Sequence, residues 1–157
     1  MKFSQRLGLQ YASFDASHLD DRIQECFRRG KKGVNCFSAA FFLAGIQVLE
    51  REIEGKDLNK TLQYLQLIER FSSNLYEVPE SSVIIGVVQP DNNGSKPIYS
   101  HLALIDPDDH SYVYHRAGRN QPLVQHSFNR LLDIYDPSRT SSIDFLKNYV
   151  PPTRKRS

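Results

Sequence analysis

Apolar residues recur along this chain first at helical spacing and then at strand spacing. Between Ser17 and Arg29 they fall at Leu19, Ile23, Cys26 and Phe27, which predicts a short amphipathic helix with those four on one face. Gly30 stops it, and Gly33 marks a second turn just before Asn35. From Cys36 to about Glu52 the spacing predicts a second helix. Its first half (Phe37, Ala39, Ala40, Phe41, Phe42, Leu43, Ala44, Ile46) is apolar nearly all round, the mark of a helix buried on most sides. A third helix is expected from about Leu58 to Phe71, with Asp57 as N-cap and Leu58, Leu62, Leu65, Ile68 and Phe71 at helical intervals.

Beyond residue 80 the pattern changes. The β-branched run from Val83 to Val88 suits a strand covered on both faces, and residues 90–95 read as a turn or loop. Two strands near Ile98–Ile105 and Ser111–His115 are expected around Pro107, Asp108 and Asp109. After a turn at Gly118, Leu123 and Val124 add a strand, Phe128 to Tyr135 a short helix, and Ile143 to Val150 one more element. Helices first and an antiparallel sheet afterwards describe an α+β fold, with the buried second helix packed on the sheet. Its 157 residues suit one domain with its core over residues 15–150, and neither an internal repeat nor a linker divides them.

Composition narrows the classes. With 39% apolar and 24% charged residues the chain can build a core, which sets aside the disordered and low-complexity classes. A net charge of +2 exerts no strong pull toward nucleic acid, so no nucleic-acid partner is expected. Two basic clusters, Arg28-Arg29-Lys31-Lys32 and Arg154-Lys155-Arg156, are read as a solvated loop and a frayed tail. The longest apolar stretch, Ala39 to Ala44, is far too short to span a bilayer. The first residues carry no apolar core and no cleavage site of the export type, and Cys26 and Cys36 are too few for a disulfide scaffold. Those readings favour a cytoplasmic protein, or one exported by a machine that needs no signal peptide.

Two local patterns carry candidate chemistry. Gly33-Val34-Asn35-Cys36-Phe37-Ser38 places a thiol at the first turn of the buried helix, where unpaired N–H groups and the helix dipole favour thiolate and can hold an oxyanion. The same cysteine could instead be a small core residue. The second pattern is the hairpin from His101 to His115. With Asp106 opposite His110, each cross-strand pair sums to 216, and His101 and His115 become direct neighbours on one face. A helix cysteine facing a strand histidine, with a further polar group to orient the imidazole, is the arrangement of a thiol hydrolase.

At this point the chain resembles the papain-like cysteine hydrolases, and in layout the NlpC-type peptidases and amidases. The likeness runs over residues 33–118: Cys36 on its helix, His101-Leu102-Ala103-Leu104-Ile105 as the histidine strand, and Val113-Tyr114-His115-Arg116 as the strand that returns. Asn35 stands where NlpC-type enzymes usually carry an acidic residue, and Phe37-Ser38-Ala39 where they carry Ser-Gly; the aromatic after the cysteine is more like papain itself. The resemblance implies a papain-like fold and a hydrolase with Cys36 as nucleophile, His101 as general base and His115 as orienting group. It implies no cofactor or metal, and a monomer acting on a peptide or protein amide. A bacterial toxin or effector fits that description. For the oxyanion or substrate contact, Asn35 and Gln24 are candidates, with Tyr11 and the backbone N–H of Cys36 beside them. Two other readings stand: a non-catalytic binding module on the same fold, and a zinc site gathered from His101, His110, His115 and His126, which no CxxC or HExxH spacing supports.

Overall fold

The computed structural model describes residues 14–89 and 97–152 in full, together with the backbone of residues 3–4 and 9–10. Tyr11, the loop expected over residues 90–95 and the cluster Arg154-Lys155-Arg156 lie outside the described residues. The described elements form an α+β fold. A two-residue pair, β1 (Phe3–Ser4) and β2 (Leu9–Gln10), precedes α1 (Leu19–Arg29), α2 (Cys36–Leu43) and α3 (Gly55–Leu62). Then come β3 (Leu65–Ser72), β4 (Ile84–Val88), β5 (Tyr99–Ile105), β6 (Tyr112–Arg116), β7 (Leu123–Ser127), α4 (Phe128–Tyr135) and β8 (Ser142–Asn148). β3 to β8 make one antiparallel six-stranded sheet in the order β3-β8-β4-β5-β6-β7. No helix among the described residues is long and apolar enough to cross a membrane.

Alternation along the strands divides the core in two. Leu102 and Leu104 of β5 join Ile84, Leu123 and Leu146 against α1 and α2, while Ala103 and Ile105 join Ile85, Val87, Val113 and Phe145 against α4. β4 is buried along its whole length, as its β-branched run requires. Where its neighbour β5 begins, the ring of Tyr99 crosses Gly86 so closely that a Cβ there would lie 2.6 Å from it.

Four expectations are corrected. The second helix ends at Leu43 because Gly45 adopts φ +80°, and Ile46 N–H donates to Phe41 O while Gly45 N–H donates to Phe42 O. That is a Schellman stop, with Ile46 and Phe41 both in the core. The expected third helix is split: α3 begins at Gly55, with Asp57 in its first turn rather than at its cap, and residues 65–72 are a strand. A β-bulge between Leu67 and Glu69 turns Leu65 toward one core and Phe71 toward the other, so a strand shows apolar residues every third position. Phe27 is 57% exposed, because it lies at the edge of the stripe formed by Leu19, Ile23 and Cys26.

The hairpin register is the fourth. Leu104 pairs with Tyr114 and Ile105 with Val113, so the pairs sum to 218. The connection is longer than three residues because Asp106 and Asp109 each accept the N–H two residues on, from Asp108 and Ser111. Asp106 N–H donates to Tyr112 O and closes it. A slip of two keeps every side chain on its expected face, whereas a slip of one would have inverted them all.

Candidate active site

Cys36 is the first residue of α2, and its neighbours are committed to starting that helix. Asn35 Oδ1 accepts the Ser38 N–H and Ser38 Oγ accepts the Asn35 N–H, each at 2.8 Å, a reciprocal capping box. Asn35 Nδ2 donates to Ile53 O at 3.0 Å. The Asn35 amide oxygen and one of its two N–H groups are therefore engaged in the fold. Gln24 projects from the exposed side of α1.

The sulfur of Cys36 reaches the backbone of β5. Ile105 N–H donates to Val83 O, so the odd-numbered amides of β5 face β4 and the even-numbered ones face β6. The registered pairs between β5 and β6 are Leu104 with Tyr114 and Ile105 with Val113, and toward Tyr99 the ladder stops. There the Leu102 N–H lies near enough to the Cys36 sulfur to favour its thiolate, as do the N–H groups of Phe37 and of Cys36 itself.

Residue 101, next along, projects from the opposite face. His101 Nε2 and His115 Nδ1 lie 2.9 Å apart, and His115 Nε2 and His126 Nδ1 also 2.9 Å. In the observed registers each of these contacts is a diagonal one across the sheet. The Tyr135 ring stacks on His101 with centroids 3.7 Å apart and planes 15° from parallel. His101 Nδ1 and the Tyr135 hydroxyl are buried with no hydrogen-bond partner. Cys36 and His101 thus approach one stretch of β5 from its two sides, and no hydrogen bond joins them.

Electrostatics corrects a further expectation. Burial pushes the Cys36 thiol above its ordinary pKa, and the three N–H groups only partly offset this; the residue is 7% exposed. Cys26, buried and beside Glu50, is pushed up to about 12. Burial, reinforced by His115, holds His101 well below the usual imidazole range, and burial with His126 brings His115 down to about 4. The resting site therefore holds a neutral thiol and neutral imidazoles rather than an ion pair. A neutral imidazole whose inner nitrogen carries a lone pair can still act as a base.

The structure brings His101 and His115 together, sets Cys36 against the same strand, ties Asn35 into the cap beside Cys36 and leaves Gln24 on the exposed side of α1. His110 sits on the β5–β6 connection, and no group of three or more His, Cys, Asp or Glu side chains among the described residues converges to hold a metal ion. Sequence reasoning missed Tyr135, although its spacing from Phe128, Leu131 and Leu132 puts it on the sheet-facing stripe of α4. It considered His126 only as a metal ligand. A surface hollow of about 620 Å³, lined in part by Phe14, Glu80, His110 and Lys147, does not include Cys36. The chemistry is assigned from the side chains that meet rather than from that breadth. No protein-family model, curated protein or solved structure matches this chain.

Proposed function

We propose that the protein is a papain-like thiol hydrolase that cleaves peptide or protein amides through Cys36, with His101 as general base and His115 as the group that orients it. One observation carries this reading: the Cys36 sulfur lies near the N–H of Leu102, the residue after His101, whose buried Nδ1 has no partner. A buried polar atom left without a partner costs about 1–3 kcal/mol, so the orphaned His101 Nδ1 has capacity to receive a proton. Helices leading into an antiparallel sheet, with the cysteine opening a buried helix, support the papain-like assignment of the fold.

In the proposed reaction His101 Nδ1 takes the Sγ proton as sulfur attacks the carbonyl carbon. The oxyanion is held by backbone N–H groups at the start of α2, with that of Cys36 foremost. The amine departs with the proton from His101, and water then cleaves the thioester with His101 again as base. Thiolate forms only as the bond to carbon forms, because burial disfavours it at rest.

The buried, protonated Cys36 also favours a second reading, a non-catalytic module of the same fold. 4-Nitrophenyl acetate separates the two. The hydrolase forms an acetyl thioester at Cys36, visible by intact mass and peptide mapping, which is absent in Cys36→Ala and slowed roughly a hundredfold in His101→Ala. Acetylation of Cys36 at the same rate in His101→Ala, or none at all in the unaltered protein, would leave only the binding module.

A further inference from the structure

We infer that His101, His115 and His126 form a proton relay with His126 as its outer end, an inference that rests on the hydrolase reading above. The two contacts of 2.9 Å join three imidazoles in a line, with His115 in the middle using a different ring nitrogen toward each neighbour. An orienting group needs only one hydrogen bond to the base. His115 makes that bond and hands its other nitrogen to a third ring, which is half-buried while His101 and His115 are buried.

Each neutral ring carries one N–H, so one tautomer choice sets the polarity of the line. With all three protonated on Nε2, His101 donates to His115 and His115 to His126. The lone pair left over is His101 Nδ1, the orphaned inner nitrogen. A proton arriving there from Cys36 Sγ displaces the His101 Nε2 proton onto His115 Nδ1. The His115 Nε2 proton then passes to His126 Nδ1, and the His126 Nε2 proton leaves to water. The thiol has lost one proton, water has gained one, and every imidazole ends neutral on the other tautomer. No imidazolium stays buried, which is the state that burial makes costly here. In the reversed polarity His101 Nδ1 carries a proton ready for a departing amine. The other titratable groups near the line are Tyr135 of α4, stacked on His101, and Cys36 of α2, whose charge would bear on Tyr135; burial favours the neutral form of both. His126 is thus a positioning and relay residue, remote from the thiol.

4-Nitrophenyl acetate again serves as the probe, because its leaving group departs as an anion and the thiol proton must go elsewhere. His126→Gln can keep a hydrogen bond to His115 but cannot pass a proton, and His126→Ala leaves space. Both are expected to acetylate Cys36 roughly tenfold more slowly at about pH 7, and imidazole in the buffer should restore the rate in His126→Ala. In nitrogen-detected NMR of the unaltered protein at that pH, all three rings should appear as Nε2–H tautomers. The relay is overturned if both His126 variants acetylate at the original rate while His101→Ala does not, or if His101 is found protonated on Nδ1. A slowed His126→Ala that imidazole does not restore marks a structural role and also overturns it. Should His101→Ala react unimpaired, the hydrolase reading itself falls, and the relay with it.

Discussion

Two buried polar clusters, one on each face of the sheet, are bonded in opposite ways. On the α1–α2 face, the buried guanidinium of Arg116 donates to both oxygens of the buried Glu50 at 2.7 and 2.8 Å, to Gln121 O at 2.7 Å and to Cys26 O at 3.2 Å. On the α4 face, three imidazoles and Tyr135 meet with two polar atoms left unpartnered. A saturated cluster holds one arrangement, whereas an unsaturated one has bonding capacity in reserve. The contrast separates a cluster whose bonds are complete from one with bonding capacity left over.

The largest effect expected from breaking this contrast comes from the saturated Arg116–Glu50 cluster. Arg116→Met leaves Glu50 buried without its counter-charge, and urea unfolding should show a loss of about 3–5 kcal/mol. Adding Glu50→Gln to that variant should recover part of it. A variant as stable as the original would mean that the ion pair does not anchor this face.

A smaller effect is expected from acid on the other face. His115 titrates near 4 when folded and near 6.5 when unfolded, so between those values the unfolded chain binds more protons. Stability from this source is complete above about pH 6.5 and is lost as pH falls toward 4. Urea midpoints at a series of pH values should fall less steeply in His115→Asn than in the original. Parallel slopes would show that His115 is not held neutral by the fold.

The smallest effect tests the cap that places the thiol. Asn35→Ala should cost about 1 kcal/mol by thermal or urea unfolding, since it removes one cap and leaves Ser38 in place. If Asn35 instead served the reaction, Asn35→Ala would lose acetylation of Cys36 with no loss of stability.

Much of the fold was legible because local pattern and tertiary setting agree. The helix over residues 128–135, the doubly covered β4 and the strands flanking the hairpin all follow from spacing and β-branching. Residues 65–72 were misread because a bulge gives a strand the three-residue spacing of a helix turn. α2 was drawn too long because Gly45 is informative only once its positive φ is seen. At the site, the shared face of His101 and His115 was readable, since it depends on parity and survives a two-residue slip. The thiol's electrostatics were not readable. A helix start argues for thiolate, but the depth of burial, set by residues far away in sequence, outweighs it. His126 and Tyr135 enter through β7 and α4, whose placement beside β6 is likewise a property of the assembled sheet.

The position of β8 has a consequence for synthesis. It lies between β3 and β4, and it is the strand recorded beside β3 in the six-stranded sheet. Yet it is translated after every other strand of that sheet. Until residues 142–148 join the sheet, β4 to β7 can zip together as neighbours, but β3 and the outer side of β4 present bare backbone edges. Ile143, Phe145 and Leu146, which fill both cores, are then also missing. The nascent chain must therefore hold open a slot one strand wide and close it last, with a loop of about seventy residues between β3 and its partner. During that interval the protein is most exposed to pairing with another copy of itself, so chaperone demand should track the time between translation of β4 and release of β8.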